Sequence, residues 1–346
     1  MELSAAAIRA VGPECPQNWY LIAESHELPR GKIATRTLGA IEIVLYRGQT
    51  SGVVAAFAAH CAHAGCHLRH GVVVGDHLRC ALHHRVIRAD GHFIRPDGSE
   101  LPTPSQLRMP VEERHGCIFV FAGEQALFDL PLPDVLQSGS AATRSLPSQS
   151  FPLAWSTLIA NGMDIDHLQA VHDRALREDP KLHRSGPYSI RLDYSSRVTG
   201  RHLSDRAMKW ISGDRIDSSI TCVGGSLMLV ESAVGRHRTF VMLSMCPSEG
   251  GSTVRAIAGV AGSPDRLAVR LAARMAAWLF HAFLRKDVGI LHRMDWHEPH
   301  AENTLGDTLT RNLCRFFRGL PAFTPVLAPS EEPSKAAVLR TATGTG

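Results

Sequence analysis

From Cys61 to His84 the chain reads CAHAGCHLRHGVVVGDHLRCALHH. The stretch holds two pairs of metal-binding side chains: Cys61 and His63 are spaced C-x-H, Cys80 and His83 are spaced C-x-x-H, and 16 residues separate the pairs. Two thiolates and two imidazoles on two loops can hold one zinc ion, or a [2Fe–2S] cluster with cysteines on one iron and histidines on the other. The stretch therefore predicts a metal centre built from two loops that a strand–turn–strand unit brings together.

The distribution of histidine and cysteine supports metal binding. Eight of the 19 histidines lie between His60 and His92, where even scattering would place about two. The 8 cysteines could form disulfides, but the segment from Met1 to Pro16 lacks the basic and apolar regions of a secretory signal. The sequence therefore predicts a cytoplasmic protein, and in that reducing compartment clustered Cys and His are metal ligands.

The composition excludes several other classes of protein. A length of 346 residues predicts about two domains, and 44% hydrophobic residues suffice for sizeable cores. The net charge of +4 is too small and dispersed to indicate a nucleic-acid partner. There is no uncharged apolar run of 18 residues, so the sequence predicts neither a membrane-spanning helix nor a membrane partner.

The spacing C-x-H-x16-C-x-x-H resembles the Rieske [2Fe–2S] motif, and the resemblance makes the two cysteines and two histidines quoted above the cluster ligands. Mitochondrial-type Rieske proteins carry one further cysteine in each loop, joined as a disulfide. Cys66 stands at the first of these positions, but Leu82 occupies the second. The bridge is therefore not expected, and the pattern is that of the oxygenase type.

A second motif follows about 80 residues later. From Asn161 the chain reads NGMDIDHLQAVH, a pattern that resembles the mononuclear iron motif of Rieske non-heme iron oxygenases. The resemblance makes His167 and His172 ligands of Fe2+. It also makes Asp164 a bridge between His167 and the cluster ligand His83 of the next subunit. Histidines five positions apart point about 140° apart on an ideal helix, so the helix is predicted to loosen or bulge between them.

The third iron ligand is predicted further along the chain. The stretch Phe283–Leu291, FLRKDVGIL, resembles the segment that supplies the family's carboxylate, and we assign that role to Asp287. The neighbouring position, usually acidic, holds Lys286, and Asp295 and Glu298 remain alternatives. Two histidines and one carboxylate leave positions open for O2 and substrate.

Periodicity and turn signals predict an α+β chain. The resemblance implies an N-terminal all-β Rieske domain over 17–125, a linker over 126–150, a helix-grip (START/Bet v1-like) catalytic domain over 151–325 and a flexible tail over 326–346. A long helix is predicted from Ser263 to about Met294 because Ser suits the N-cap and Pro the first turn. Its apolar residues at helical spacing are predicted to be core: Leu267, Leu271, Met275, Trp278 and Leu279.

The resemblance implies a terminal oxygenase subunit that forms head-to-tail homotrimers. An NAD(P)H-dependent reductase, with or without a ferredoxin, would supply electrons, and O2 would be used to oxidise an organic substrate. His83-His84 and Arg318-Gly319 are similar to the aminopyrrolnitrin oxygenase and ketosteroid hydroxylase branch, which favours monooxygenation of a bulky, mostly apolar substrate. N-oxygenation, demethylation, desaturation and dihydroxylation remain open. A Rieske electron carrier or a zinc-binding protein are alternatives from other classes.

Overall fold

A computed structural model describes residues 10–95, 99–101, 105–137, 140–292 and 294–324. They form two β-rich units, and the first is all-β apart from two short 3-10 turns. Its strands are β1 (Trp19–Glu24), β2 (Ile33–Leu38), β3 (Ile41–Arg47), β4 (Val54–Ala58), β5 (Val72–Val74), β6 (His77–Arg79), β7 (Val86–Ile87), β8 (Phe93–Ile94), β9 (Arg108–Met109), β10 (Val111–Arg114) and β11 (Cys117–Phe121).

The first unit contains three small antiparallel sheets. Their strand orders are β1-β11-β10, β2-β3-β4-β9 and β5-β6-β7-β8. The sheet β5 to β8 carries the segment predicted to bring the two ligand loops together. One loop precedes β5, and the other connects β6 to β7. The turn at Gly75 between β5 and β6 has a positive φ of 59°, which glycine adopts without the steric cost that a Cβ would bring.

The second unit mixes helices and long strands. Its elements are α1 (Asp134–Gln137), β12 (Ala141–Phe151), α2 (Trp155–Met163), α3 (Ile165–Ala170), β13 (Arg174–Leu176), β14 (Lys181–Gly186), β15 (Ser189–Val198), α4 (Leu203–Ser212), β16 (Ile216–Val223), β17 (Leu227–Val234), β18 (His237–Ser248), β19 (Gly251–Ala261), α5 (Leu267–Leu291) and α6 (Leu305–Arg318). The strands form one antiparallel sheet in the order β12-β19-β18-β17-β16-β15-β13, with β14 also paired to β15.

Helix α5 lies across this sheet and packs against β12 and β19. A long helix packed against an antiparallel sheet is the α+β arrangement that the sequence predicts. Helix α2 packs against α6, where the rings of Trp155 and Phe317 meet edge to face with centroids 5.0 Å apart. Both side chains are buried, and burial of each large apolar side chain contributes about 1.5–3 kcal/mol to stability.

The two units are joined by buried contacts as well as by the chain. The Asn18 side chain is fully buried and donates from Nδ2 to the Val223 carbonyl oxygen at 2.9 Å and to Ser226 Oγ at 3.0 Å. The Leu21 amide donates to Ser244 Oγ at 3.0 Å. Hydrogen-bonded polar groups in a buried position are costly to break, so these contacts fix the first unit against the ends of β16 to β18.

Two predictions about element boundaries need correction. The predicted linker over 126–150 is too long, because β12 begins at Ala141 and pairs with β19. The long helix begins after Arg266, so Ser263 is not its N-cap. The predicted tail over 326–346 lies outside the described residues.

The apolar residues of α5 also differ from the prediction. Leu279 is buried, but Leu267, Leu271, Met275 and Trp278 are between 44% and 61% exposed. The helix instead turns the small side chains of Ala272, Ala273 and Ala276 toward β12 and β19. Small residues let the helix approach the sheet closely, which leaves its larger apolar side chains on the opposite face.

By length and composition alone, α5 is also apolar enough to cross a membrane, a test that core helices of other proteins pass as well. It is the one such helix among the residues described above.

Candidate metal centres

The two histidines and the aspartate predicted to bind iron converge at one point of the second unit. His167 Nε2 lies 3.1 Å from His172 Nε2, and Asp287 Oδ1 lies 2.9 Å and 3.0 Å from these two nitrogens. His167 comes from α3, His172 follows that helix, and Asp287 comes from α5. The ligand atoms of these three residues all lie within 4.8 Å of one another, close enough to bind one metal ion.

The local fold explains how histidines five positions apart can meet. A single helix does not run through this segment: α2 ends at Met163, and Asp164 begins α3 as its N-cap. Asp164 Oδ1 accepts hydrogen bonds from the backbone N–H groups of Asp166 at 2.8 Å and His167 at 3.2 Å. Helix α3 then ends at Ala170, so His172 is free of helical geometry. The helix is terminated rather than bulged between the ligands.

Burial and hydrogen bonding fix the charge states of the ligand groups. Burial favours the neutral form of Asp287, but hydrogen bonds from His167 and His172 outweigh it, and the pKa of this carboxyl is lowered. Burial lowers the pKa of His172, which favours the neutral imidazole. An ionised Asp287 carboxylate and a neutral His172 imidazole are the protonation states that metal ligation requires of these two groups.

The donor geometry fits a first-row divalent ion. Three atoms 2.9–3.1 Å apart define a triangle whose centre lies about 1.7 Å from each vertex, which is the mean side divided by √3. An ion just outside this plane is therefore within the roughly 2.0–2.2 Å typical of bonds to His and carboxylate ligands. Two histidines and one carboxylate on one face are the donor set of non-heme Fe2+ sites.

The ring of His172 is held by stacking. It lies parallel to the Phe283 ring at a centroid distance of 3.6 Å and an interplanar angle of 6°. His172 Nδ1 is buried and has no hydrogen-bond partner among the described residues. Phe283 thus sets the orientation of this imidazole, a task that a hydrogen bond to the second ring nitrogen performs at many metal sites.

The remaining candidate residues occupy different positions. Asn161 Nδ2 lies 3.3 Å from His167 Nε2, so its amide touches the ligand atom itself. The Asp164 carboxylate caps α3 through backbone groups, and the contact with the His167 imidazole that the resemblance implies is not among the hydrogen bonds described. Asp295 is exposed, and Glu298 is bonded to Arg318. Neither alternative carboxylate belongs to the cluster around Asp287.

A lysine that departs from the expected pattern has a clear structural role. Lys286 Nζ lies 2.8 Å from Asp173 Oδ2 and 3.5 Å from Asp205 Oδ2. Asp173 follows His172 and Lys286 precedes Asp287, so this ion pair joins the two segments that supply ligands. The sequence near Lys286 does not indicate this contact, because both partners are more than 80 positions away.

The first unit brings its four predicted cluster ligands into two adjoining loops. Cys61 and Cys80 are buried, His63 is half-buried and His83 is exposed, and the two imidazole centroids lie 4.8 Å apart. Burial is the main cause that raises the pKa of the Cys61 thiol to about 11. Buried thiols beside outward-facing imidazoles match a cluster with cysteines on one iron and histidines on the other.

Gln106 holds the first ligand loop and was missed by sequence reasoning. Its buried side chain donates from Nε2 to the carbonyl oxygens of Ala58 at 2.9 Å and His60 at 3.0 Å. Its Oε1 accepts from the Ala62 amide at 2.8 Å. A glutamine 45 residues after Cys61 carries no local signal of this function.

A cavity of about 760 Å³ opens beside the cluster of His167, His172 and Asp287. Apolar side chains from the sheet, α4 and α5 form most of its wall, including Ile220, Val241 and Phe280. A few hydroxyl groups, among them Tyr194 and Thr239, interrupt the apolar lining. The volume lies within the ~300–1,000 Å³ of small-molecule sites, and the composition suits a largely apolar ligand.

Comparison with known proteins gives three kinds of match. Residues 18–105 match the family model of the Rieske [2Fe-2S] domain. A vanillate O-demethylase oxygenase subunit of Pseudomonas sp. is 29% identical over 164 residues, covering 46% of this chain and 49% of that protein. A cholesterol 7-desaturase of Bombyx mori is 28% identical over 194 residues, covering 52% and 42%. The chain thus spans about half the length of these curated relatives.

Solved structures extend the likeness to both units. A dicamba monooxygenase bound to dicamba superposes with a TM-score of 0.64 at 18% identity, covering 88% of this chain and 97% of that one. The QL mutant of NdmA from Pseudomonas putida CBB5, with caffeine, gives a TM-score of 0.63 at 16% identity, covering 87% of this chain and 89% of that one. At these identities the likeness establishes the fold. The matched domain assigns the first centre to a [2Fe–2S] cluster, and the second donor set fits Fe2+.

Proposed function

We propose that the chain, which carries a Rieske [2Fe–2S] domain and has the fold of Rieske oxygenase structures, is a Rieske non-heme iron oxygenase alpha subunit that oxidises a bulky, mostly apolar organic substrate with O2. The observation that carries the proposal is the convergence of His167, His172 and Asp287 beside a mostly apolar cavity of about 760 Å³. An Fe2+ held by this face supplies O2 activation, and the [2Fe–2S] cluster supplies electrons one at a time. The protein contributes ligands, a water-poor cavity and substrate orientation.

The side chains of the cavity wall determine which substrates bind. Ile220, Val241 and Phe280 replace water around an apolar molecule, and the release of that water drives binding. The hydroxyls of Tyr194 and Thr239 can each orient one polar group of the substrate by a hydrogen bond. These side chains come from strands of one sheet and from a helix packed against it, so the wall is rigid.

Asn161 has a task at the open side of the ligand face. Its amide nitrogen lies 3.3 Å from His167 Nε2. If His167 Nε2 binds the metal, it can no longer accept a hydrogen bond from this amide. With the metal bound, the amide is available to donate a hydrogen bond to an oxygen atom of the substrate. Asn161 also lines the cavity, which supports this role.

We propose monooxygenation as the reaction and demethylation as the second candidate. The dicamba monooxygenase shares the fold, which favours the first. The vanillate O-demethylase relative and the caffeine-bound neighbour favour the second, since their names and ligand point to methyl groups on oxygen or nitrogen. Hydroxylation of such a methyl group yields an unstable hemiacetal or hemiaminal, so both outcomes begin with insertion of one oxygen atom.

Electrons come, in this proposal, from an external NAD(P)H-dependent reductase, with or without a ferredoxin, in the cytoplasm. The chain itself has no G-x-G-x-x-G dinucleotide motif. The exposed His83 offers a surface approach to the cluster site. We further propose a homotrimer in which His83 of one subunit faces Asp164 of the next. The half-buried Asp164 supports this: Oδ1 caps α3, while Oδ2 has no partner among the described contacts.

Iron content tests the proposal against an electron carrier. The oxygenase holds three irons per chain, whereas a carrier with only the cluster holds two. The variant Asp287→Ala is expected to lose one iron and keep the visible absorption of the cluster. Asp295→Ala is the matched control, because this carboxylate is exposed and outside the ligand cluster.

Turnover is tested with a panel of aryl methyl ethers, N-methylated heterocycles and sterols in the presence of a generic reductase. Substrate-dependent O2 uptake and a product heavier by one oxygen, or lighter by a methylene, is the expected result. Two irons in the wild-type chain, or full turnover in Asp287→Ala, would overturn the proposal.

A further inference from the structure

The surface around the mouth of the cavity carries large apolar side chains in contact with solvent. Trp210 is 88% exposed, Leu203 73% and Leu267 61%. We call this surface the mouth face. Its exposed apolar residues are Leu203 and Trp210 of α4 and Leu267, Leu271, Met275 and Trp278 of α5. Trp210, Leu271 and Met275 also line the cavity, so the face and the cavity form one continuous apolar surface.

Helix geometry explains why these residues share one side. Leu203 and Trp210 are seven positions apart on α4 and therefore lie on the same stripe of the helix. On α5, Leu267, Leu271 and Trp278 follow the spacing i, i+4 and i+11, which again returns to one stripe. The opposite stripe of α5 faces β12 and β19. The exposure of the apolar stripe thus follows from the orientation of both helices.

The mouth face is also strongly basic. Arg206 on α4, Arg236 at the cavity rim and Arg266, Arg270 and Arg274 on or beside α5 are all exposed. None of these five forms an ion pair with any described residue. From Arg266 to Lys286 the chain contains no acidic residue. In the sequence, Asp265 precedes Arg266, and Asp205, which precedes Arg206, is buried.

We propose that the mouth face binds the surface of an anionic lipid bilayer. Helices with basic residues beside Trp and Leu lie in the plane of a membrane, with apolar side chains in the boundary of the acyl chains and arginines among the headgroups. Tryptophan suits this boundary because its ring is apolar and its N–H is polar. The anionic headgroups neutralise the unpaired arginines.

The charge pattern favours lipid over a twofold pairing of two chains through the mouth face. A twofold contact through the same face would bring its arginines toward their own counterparts, and like charges at close distance oppose association. The face also does not cross the membrane. Asp287, on the inner stripe of α5, is buried within the protein, and α5 packs along β12 and β19. The helix therefore lies on the bilayer instead of spanning it.

Membrane contact has a consequence for substrate entry that rests on the proposed function. An apolar substrate dissolved in the bilayer would enter the cavity through its apolar mouth without crossing water. The sequence predicts no membrane partner, because the prediction considers spanning segments and assigns the apolar residues of α5 to the core.

Vesicle binding of the holoenzyme tests the proposal without any need for turnover. The wild-type protein is expected to sediment with vesicles of equal parts phosphatidylglycerol and phosphatidylcholine, and not with phosphatidylcholine alone. Raised salt should weaken the binding. Two arginines at a membrane surface account for about 30-fold in binding, so R270Q/R274Q is expected to lose about 10–30-fold, and W210S a similar amount.

Matched controls come from exposed residues elsewhere on the chain. Val53, which is 62% exposed in the first unit, gives the apolar control V53S. Arg144 and Arg197 are exposed and form no ion pair in the described part of the chain, and they give the control R144Q/R197Q. Both controls should bind anionic vesicles as the wild type does. The visible absorption of the cluster reports that each variant is folded.

Three results would overturn the inference. The first is a wild type that does not bind anionic vesicles, and the second is a loss of binding in the controls equal to that in the mouth-face variants. The third is self-association, seen by light scattering and abolished by W210S, which would mean that a second copy covers the face. Failure here is separable from failure of the proposed function. An enzyme that turns over without binding vesicles loses only this inference, and one that binds vesicles without turnover loses only the proposed activity.

Discussion

Lys286 links the two segments that supply the metal ligands, and replacing it with methionine tests whether that link positions them. Its ammonium bonds to Asp173, next to His172, and lies 3.5 Å from the buried Asp205. Methionine keeps much of the side-chain volume and removes the charge. We expect the Lys286→Met variant to fold, to be less stable than the wild type and to bind Fe2+ more weakly.

The expected loss of stability in Lys286→Met follows from the distances between the ammonium and the two carboxylates and from the exposure of those carboxylates. Opposite charges 2.8 Å apart attract by about 6 kcal/mol at an effective dielectric constant of about 20, before desolvation is subtracted. Because the Asp173 side chain is 40% exposed, solvent screening reduces the net contribution to about 1 kcal/mol. Asp205 is only 5% exposed, and in the variant it would keep Arg174 at 3.8 Å as a partner. Loss of the Lys286 ammonium beside this buried carboxylate therefore lowers the free energy of unfolding by about a further 1–2 kcal/mol. Together the two contributions predict that Lys286→Met lowers the free energy of unfolding by about 2–3 kcal/mol.

Two measurements check this prediction. Urea unfolding gives the loss of stability, and titration of the iron-free protein with Fe2+ gives the loss of affinity, which we expect to be about 10–100-fold, as for other groups that orient metal ligands. Lys286→Arg should retain most of both quantities. Arg285→Met is the matched control, since Arg285 is exposed on the same helix and forms no ion pair in the described ranges. Equal effects of Lys286→Met and Arg285→Met would refute the positioning role.

Three further predictions concern other parts of the molecule. Cys80→Ser should abolish the visible absorption of the cluster, and a variant with the full spectrum would contradict the assignment of this ligand. Asp164→Ala should lower the free energy of unfolding by about 1 kcal/mol because α3 loses its N-cap, whereas Asp164→Asn keeps the cap. If the Asn variant is as stable as the wild type but turns over more slowly, as measured by rapid mixing with O2, the slower turnover reports the loss of the carboxylate charge. The hydrogen bond from Arg47 is the main cause that lowers the pKa of Glu113. The ionised pair therefore stabilises the fold fully above about pH 4.5. This contribution is lost as the pH falls through the lowered pKa. Glu113→Gln should therefore cost about 0.5–1 kcal/mol at pH 7 and flatten the acid limb of the stability profile, and an unchanged limb in acid titration would disprove this.

Much of the architecture could be predicted from local signals. The strands Val72–Val74, Ile216–Val223 and Leu227–Val234 can be recognised in the sequence, because each is a run rich in apolar and β-branched residues that ends at a glycine turn. The two ligand motifs were visible because their spacing is short. Helix α6 was missed, although Thr304 and Asp307 form a capping box that the sequence displays.

The features that escaped prediction depend on contacts distant in the chain. Apolar spacing on α5 was interpreted as a core stripe, but Ala273 and its neighbours pack on the sheet and leave Trp278 outside. Periodicity identifies an apolar stripe and cannot say whether protein covers it. Likewise, Gln106 and Lys286 act through partners 40 or more positions away, and no pattern near either residue indicates those partners.

The placement of the ligands has a topological consequence for the second unit. His172 and Asp287 are 115 residues apart in the sequence, and the chain between them includes every strand from β13 to β19 and helix α4. An ion held by both therefore closes a loop as a disulfide would. For a cross-link that encloses about 100 residues, the loss of chain entropy in the unfolded ensemble corresponds to roughly 4.7 kcal/mol. As long as it remains bound, the ion acts as a reversible staple across almost the whole sheet.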